Sequence, residues 1–155
     1  LVLESGSPGL ETQIEQSSRI ASDHQLARWL LENGMAVFVE RWEQLPLFAS
    51  QARLPVETQA KQKAQRLQND PIGLANSLRG MGTGSQPSLW EKLNKLTAPT
   101  LLIAGDLDPK YCAIAARLAQ ILPQATLQIV PDAGHNVHLE KQKAYLQLVQ
   151  NFLEG

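Results

Sequence analysis

Cysteine is almost missing from this 155-residue chain, since Cys112 is the only one. A single thiol excludes an internal disulfide framework and a zinc site built on cysteines, and it fits a reducing compartment. Neither sign of charge is in excess, with 14 lysines and arginines against 15 aspartates and glutamates. The balance gives no reason to expect DNA, RNA or an anionic membrane as a partner, so a small molecule is the expected ligand.

Long apolar runs and targeting signals are missing as well. No apolar run approaches the roughly 18 residues of a membrane span, and there is no internal repeat. The opening LVLESGSPGL lacks an initiator Met and the basic and apolar regions of a signal peptide. It begins on a β-type run, and a strand with no upstream partner would be an orphan sheet edge. We therefore expect a fragment whose N-terminal half lies elsewhere, from a cytoplasmic protein.

A run of short helices is predicted for residues 11–84. Apolar residues recur at helical spacing from residue 11 to residue 33, and Gly34 then favours a stop. A second short helix is predicted for residues 36–42. Prolines and glycines mark the limits of the helices that follow, at Pro46, Pro55, Pro71, Gly80, Gly82 and Gly84.

The last part of the chain alternates between strand and helix patterns. Residues 100–104 are almost wholly apolar, which is typical of a strand covered on both faces. A helix, a second strand at residues 125–131 and a final amphipathic helix follow. This order predicts a parallel sheet. The fold class is therefore α/β, with residues 1–10 and 85–155 forming a core that the helical segment 11–84 interrupts.

A polar turn follows each of these two predicted strands. The first turn, GDLD, contains Asp106 and Asp108, and the second contains His135 after a glycine. In open α/β sheets the carboxyl ends of the strands border one crevice, so the two turns should meet there. We expect Asp108 to orient His135 as a general base toward a third group, usually a serine. Asp106, nearer the strand end, is expected to cap the turn.

The second turn also contains His138, three residues after His135. A zinc site on the two histidines would be under-coordinated, because the motif offers no further ligand. His138 is more typical of a capping or surface residue, and His135 could simply bond to backbone. We therefore expect no metal site at these two histidines.

The stretches PTLLIAGDLDPKY and LQIVPDAGHNVHLEK resemble the last two strands of the α/β-hydrolase fold, whose chain order is nucleophile, acid, histidine. LVLESGSPGL, ERWEQLPLFAS and GHNVHLE narrow the resemblance to the 2-succinyl-6-hydroxy-2,4-cyclohexadiene-1-carboxylate synthases of menaquinone and phylloquinone biosynthesis. The resemblance spans essentially the whole chain. It implies a carbon–oxygen lyase that eliminates pyruvate from 2-succinyl-5-enolpyruvyl-6-hydroxy-3-cyclohexene-1-carboxylate without a metal or an organic cofactor. A serine activated by His135 and Asp108 would abstract the ring proton.

The same resemblance assigns substrate contacts to the helical segment, which corresponds to the family's cap over the pocket. Arg19 in SSRIASD and Arg66 in AQRLQND match arginines that hold substrate carboxylates, and Trp42 matches a tryptophan that lines the pocket. A guanidinium suits this task because it forms a bidentate fork with a carboxylate. The residues alone do not select these arginines over the others, and a solvated arginine or a packed tryptophan is the alternative.

The chain departs from the family at the nucleophile. Neither a Gly-x-Ser-x-Gly turn nor the Ser-Met-Gly-Gly-Arg variant of these synthases occurs, and the oxyanion loop is absent too. The chain alone is therefore expected to be inactive. Two alternatives stay open. An esterase or carbon–carbon bond hydrolase of the same fold would keep Asp108 and His135 without needing the arginines, and a hydrolase-like module could bind ligands without catalysis.

Overall fold

The structure is a computed structural model that describes residues 1–155. Its elements are β1 (Val2–Glu4), α1 (Gln13–Glu43), a first 3₁₀ helix (Pro46–Arg53), α2 (Val56–Leu67), α3 (Pro71–Met81), a second 3₁₀ helix (Trp90–Lys95), β2 (Thr100–Gly105), α4 (Pro109–Ile121), β3 (Ala125–Val130), α5 (Val137–Glu140) and α6 (Gln142–Glu154). No helix combines the length and the apolar character that crossing a membrane requires.

The chain divides into two compact units. The first unit contains Leu1–Ser7, Pro46–Arg53 and Glu91–Gly155, and the second contains Pro8–Leu45 and Leu54–Trp90. The largest difference from the expected boundaries is Pro46–Arg53, which we assigned to the helical segment and which belongs to the first unit. A short helix has no local feature that tells which part of a fold it packs against, so only the tertiary structure reveals its place.

The first unit is built on a three-stranded sheet in the order β1, β2, β3. Both pairs of strands are parallel, with Leu102 in register with Leu3 on one side and Leu127 on the other. Every residue of the central strand β2 is buried. This burial explains why its sequence is apolar without alternation. The predicted α/β class with parallel strands is confirmed.

One face of this sheet is covered by the last helix. Leu101 and Ile103 of β2 and Val130 of β3 are buried in one apolar cluster. Helix α6 packs an apolar stripe at helical spacing against this cluster, formed by Tyr145, Leu148, Val149 and Phe152. Full burial of a Val, Leu or Phe side chain contributes roughly 1.5–3 kcal/mol to folding before entropy is counted, and the partly buried side chains of α6 contribute less. The packing holds the carboxyl ends of β2 and β3 in a fixed relation.

The second unit is helical, and its longest helix is broken. Gly34 has φ 79° and ψ 170°, outside the helical region, so α1 consists of two arms that meet at this glycine. Residues with a side chain rarely adopt this conformation, which is why the predicted stop is a glycine. The first arm begins at a capping box formed by Thr12 and Glu15. Both arms and α3 share one core of Ala27, Leu30, Phe38, Val39 and Ala75.

Candidate active site

The turn after β2 fixes the carboxylate of Asp108. Helix α4 begins with Pro109 at its first position, and Asp108 is its N-cap. The side chain of Asp108 accepts a hydrogen bond through Oδ1 from the backbone N–H of Tyr111, at 3.2 Å. The residue is only 5% exposed. One carboxylate oxygen is thus used for capping, and the other, Oδ2, remains for a second partner.

The turn after β3 approaches the turn after β2 at a glycine. A Cβ atom at Gly105 would collide with the backbone carbonyls of Ala133 and Gly134. Because no side chain separates them, the backbone N–H of Leu107 donates to the carbonyl of Ala133, at 2.9 Å. This backbone contact brings the residue after Gly134, which is His135, beside the start of α4.

Asp108 and His135 meet directly in the structure. Nδ1 of His135 lies 2.8 Å from Oδ2 of Asp108, and the side chains are 19% and 4% exposed, respectively. A carboxylate only accepts hydrogen bonds, so the proton of the imidazole sits on Nδ1 and Nε2 carries the lone pair. A histidine in this state can take a proton from a hydroxyl that approaches Nε2.

Two aromatic rings flank the imidazole of His135. The ring of Tyr111 lies 4.6 Å from it, centroid to centroid, and the ring of Phe48 lies 6.2 Å away in an edge arrangement. Neither residue was predicted from the sequence to belong to the site. The position of Tyr111, one helical turn after Asp108, is a signal that could have indicated it. Phe48 comes from the first 3₁₀ helix, and nothing in the local sequence links it to His135.

The cap that we expected from Asp106 is formed by Asp108 instead, so this expectation was wrong. Asp106 is exposed, whereas Asp108 reaches the amides of α4. Cys112 lies one turn further along and donates its thiol proton to the carbonyl of Gly105, at 3.1 Å. Burial, followed by the charges of Asp108 and Asp106, raises the pKa of the Cys112 thiol. A raised pKa keeps the thiol protonated, so Cys112 is poorly suited as a nucleophile.

The two histidines of the second turn have separate carboxylate partners. Nδ1 of His138 lies 2.8 Å from Oε2 of Glu4, at the end of β1. His138 is therefore bound at a strand end, whereas His135 is bound to Asp108. The side chain of His138 is 54% exposed, in the short helix α5.

Arg19, Arg66 and Trp42 all lie in the second unit. Nε of Arg19 donates to both carboxylate oxygens of Asp23, at 2.8 and 2.9 Å, and Asp23 is almost fully buried. The bond uses Nε and leaves the two terminal nitrogens of the guanidinium for another acceptor. Nη1 of Arg66 donates to Oε1 of Glu43, at 2.9 Å. Each arginine therefore has its own carboxylate partner within the unit.

Trp42 lies at the wall of a cavity between the two arms of α1. Its ring stacks on Phe38, with the centroids 5.5 Å apart and the planes 17° from parallel. The guanidinium of Arg41 lies 4.5 Å from the ring centroid of Trp29. The cavity has a volume of about 520 Å³ and is lined by Ser22, Gln25, Leu26, Trp29, Phe38, Arg41, Trp42 and Leu45. Trp42 thus combines core packing with a place in a cavity wall.

Arg66 lines a different recess, on helix α2. This recess has a volume of about 360 Å³, and its other lining residues are Gln62, Gln65 and Asn69. All four side chains are polar, so the recess suits a polar or charged group better than an apolar ring.

A parallel sheet with a carboxylate and a histidine at its carboxyl end is the arrangement of α/β hydrolases. The sequence model of the family described as "TAP-like protein", an α/β-hydrolase family, matches residues 75–155, about half of the chain. The chain therefore belongs to the α/β-hydrolase family.

The curated proteins that are similar in sequence to this chain include several named as the same synthase. It is 48% identical over 153 residues to a Bacillus subtilis (strain 168) protein named "Putative 2-succinyl-6-hydroxy-2,4-cyclohexadiene-1-carboxylate synthase", covering 99% of this chain and 56% of that protein. It is 34% identical over 153 residues to a Photorhabdus laumondii protein named "2-succinyl-6-hydroxy-2,4-cyclohexadiene-1-carboxylate synthase", covering 99% of this chain and 52% of the relative. The chain thus spans about half the length of the curated relatives it matches, and the expected resemblance is confirmed.

Two solved structures are similar to this chain over nearly its whole length. The structure of MenH from S. aureus superposes with a TM-score of 0.97 at 38% identity, over 99% of this chain and 58% of that one. A thermophilic esterase from Thermogutta terrifontis reaches a TM-score of 0.83 at 22% identity, over 99% of this chain and 55% of that one. The second likeness is one of fold alone.

Proposed function

We propose that this chain supplies the histidine and the acid of a lyase in menaquinone or phylloquinone biosynthesis. The substrate would be 2-succinyl-5-enolpyruvyl-6-hydroxy-3-cyclohexene-1-carboxylate, and the products 2-succinyl-6-hydroxy-2,4-cyclohexadiene-1-carboxylate and pyruvate. The observation that carries the proposal is the 2.8 Å contact between Nδ1 of His135 and Oδ2 of Asp108. The names of the synthase relatives support the choice of reaction.

In the proposed reaction His135 acts through a serine from a segment outside these 155 residues. Nε2 of His135 takes the serine proton, and the serine oxygen removes a proton from the substrate ring. The electron pair of the broken C–H bond forms a double bond between ring carbons 2 and 3, the existing double bond shifts to carbons 4 and 5, and the bond from carbon 5 to oxygen breaks. Pyruvate leaves as its enolate and takes up the proton that His135 holds. Asp108 keeps Nδ1 protonated and stabilises the imidazolium that forms.

The second unit is proposed to serve as the substrate-binding cap of this enzyme. The substrate carries several carboxylates, and Arg19 can offer its terminal nitrogens to one of them while Asp23 holds Nε. Arg66 is proposed to hold a second carboxylate in its polar recess, in exchange with Glu43. Trp42 is proposed to contact the cyclohexene ring through its apolar face.

The reaction itself is tested with the complete enzyme and the succinyl-cyclohexene precursor. Diene absorbance and pyruvate should appear together and in equal amounts. We expect His135→Ala to lower kcat at least 100-fold, because the loss of a general base typically costs a factor of 10²–10⁴. His24→Ala is the matched control, since His24 is exposed on α1. Pyruvate release by His135→Ala within tenfold of wild type would contradict the proposed role.

The main alternative is an esterase or carbon–carbon bond hydrolase of the same fold. Such an enzyme would keep Asp108 and His135 but would not need arginines for several carboxylates. In the lyase, we expect Arg19→Ala and Arg66→Ala to raise KM for the precursor tenfold or more, with Arg28→Ala, an exposed arginine of α1, as the control. Ester hydrolysis without diene formation, together with unchanged KM in both arginine variants, would favour the hydrolase.

A further inference from the structure

A second carboxylate–imidazole pair lies next to the Asp108–His135 pair. Oε1 of Glu4 accepts a hydrogen bond from the backbone N–H of His138, at 2.9 Å. The two carboxylate oxygens of Glu4, Oε1 and Oε2, lie 3.0 and 2.8 Å from Nδ1 of His138. One carboxylate therefore holds both the main chain and the side chain of His138. The side chain of Glu4 is only 16% exposed, whereas that of His138 is 54% exposed, so solvent reaches this pair from the side of His138.

Glu4 is a firm anchor because it belongs to the sheet. It pairs with Ile103 of β2, and the next residue, Ser5, donates its backbone N–H to the carbonyl of Ile103, at 2.9 Å. The hydroxyl of Ser5 also donates to the backbone carbonyl of His135, at 2.8 Å. Two adjacent residues at the end of β1 thus hold the two ends of the segment from His135 to His138.

Ser5 makes its contact to His135 from an unusual backbone conformation. Its φ of 43° lies in the left-handed region, which residues with a side chain rarely adopt. A glycine would adopt this conformation at lower cost, but it would lack the hydroxyl that reaches His135. Ser5 therefore combines a strained backbone conformation with a contact to the turn after β3 that contains His135 and His138, called the histidine turn below.

Position matters at His135 because Asp108 fixes only one side of its ring. The bond at Nδ1 sets the tautomer, but the place of Nε2 also depends on where the backbone of the turn lies. A displacement of about 1 Å in a catalytic group can lower a rate about 100-fold. The turn is held from within by the bond from the backbone N–H of Gly134 to Glu140, at 2.8 Å. Glu4 and Ser5 connect it to the sheet.

We propose that Glu4 and His138 form a positioning pair for His135, tying the histidine turn to the end of β1 so that Nε2 is held where the serine must approach. This inference rests on the proposed function. Neither residue is proposed to touch the substrate, so both act through the backbone of the turn. His138 suits this role because its backbone N–H and Nδ1 reach the same carboxylate.

The first test is steady-state kinetics of pyruvate release by the complete enzyme. We expect Glu4→Ala and His138→Ala to lower kcat about 10- to 100-fold with KM within twofold of wild type, because substrate contacts are untouched. The double variant should be no slower than Glu4→Ala, since Glu4→Ala removes both contacts to residue 138 and His138→Ala removes only the contact at Nδ1. His138 is more than half exposed, so its replacement should not prevent folding. Lys141→Ala, which removes an exposed contact to Asp132 at 4.0 Å, is the control.

A conservative replacement separates positioning from general stability. The side-chain amide of asparagine can donate to Glu4 from nearly the place of Nδ1, so His138→Asn should restore kcat to within about threefold of wild type. A proton NMR resonance of the His135 Nδ1–H, assigned by its loss in His135→Gln, should shift or broaden in His138→Ala and return in His138→Asn.

Two results would overturn the positioning role. One is a kcat within twofold of wild type for both Glu4→Ala and His138→Ala, with the His135 resonance unchanged. The other is a loss of kcat that His138→Asn does not restore. If the wild-type enzyme releases no pyruvate, the proposed function fails, but the NMR comparison still reports whether Glu4 and His138 position His135.

Discussion

Replacing Asp108 by asparagine should separate the two tasks of this side chain. Oδ1 caps α4 by accepting from the backbone N–H of Tyr111, and Oδ2 contacts Nδ1 of His135. Asparagine can keep its oxygen at the capping position, and its amide nitrogen then faces Nδ1. Because that nitrogen only donates, it forces the imidazole proton onto Nε2, where a serine proton would have to be accepted.

The cost in activity follows from this change of tautomer. A triad histidine in the wrong tautomer loses about 10⁴ in kcat, which corresponds to about 5 kcal/mol of transition-state stabilisation. The cost in stability should be small, because Asp108→Asn retains the cap. Asp108→Ala loses the cap as well, at about 0.5–2 kcal/mol. In a complete enzyme of about twice this length, that loss lowers Tm by about 2 °C for each kcal/mol.

The assay combines pyruvate release with thermal unfolding of the complete enzyme. We expect both Asp108 variants to be nearly inactive, with Asp108→Asn close to wild type in Tm and Asp108→Ala about 1–4 °C lower. The reasoning would be refuted by an Asp108→Asn variant that keeps more than a tenth of the wild-type kcat. Equal Tm values for the two variants would contradict the capping role.

Three further predictions concern stability and titration. Gly105→Ala should destabilise the protein by about 1–3 kcal/mol or more in urea unfolding, because the new methyl group meets the backbone of Ala133 and Gly134. Gly80→Ala, which has open space on α3, should stabilise the protein by about 0.5–1 kcal/mol. Equal effects of the two substitutions would contradict the close approach of Gly105 to the turn after β3. The Cys112 thiol, whose pKa is raised by burial and nearby carboxylates, should react with a disulfide reagent at pH 8 more slowly than free cysteine. Asp106→Asn should speed the reaction, because it removes one of these charges. A rate for Cys112 equal to that of free cysteine would refute the raised pKa. Burial, with the charge of Glu4 second, raises the pKa of Tyr145 above its ordinary 10.0, so the unfolded state loses the phenol proton first and the free energy of unfolding should fall as pH rises from about 10. The fall should be smaller in Tyr145→Phe, and identical plots of unfolding free energy against pH for the two proteins would contradict this prediction.

Much of the candidate site could be predicted because its signals are local. The apolar run of β2 and the Gly-His turn after β3 identify two strand ends, and parallel strands bring such ends to one edge of a sheet. That rule brought the GDLD turn beside His135, whereas the choice of Asp108 over Asp106 also rested on the expectation, which was wrong, that Asp106 caps the turn. The break at Gly34 was predicted for a similar reason, since a glycine between two helical patterns marks a change of backbone conformation.

Other parts of the site depend on contacts between residues that are far apart in the chain. Glu4 and His138 are 134 positions apart, and no periodic pattern connects them. Phe48 reaches the ring of His135 from a short 3₁₀ helix, Pro46–Arg53, that was expected to belong to the helical segment. The choice between Asp106 and Asp108 as the cap depended on where α4 begins, and prediction places helix ends poorly.

The sequence by itself determined the α/β class, the order of strands and helices, and the two residues that meet at the sheet edge, because hydrophobic periodicity and turn residues act over short distances. Only the tertiary structure decided how the histidine turn is held, since hydrogen bonds from the end of β1 depend on the packed positions of strands that lie at opposite ends of the chain. Side chains such as Glu4 and Ser5 have no preferred partner until the sheet has formed.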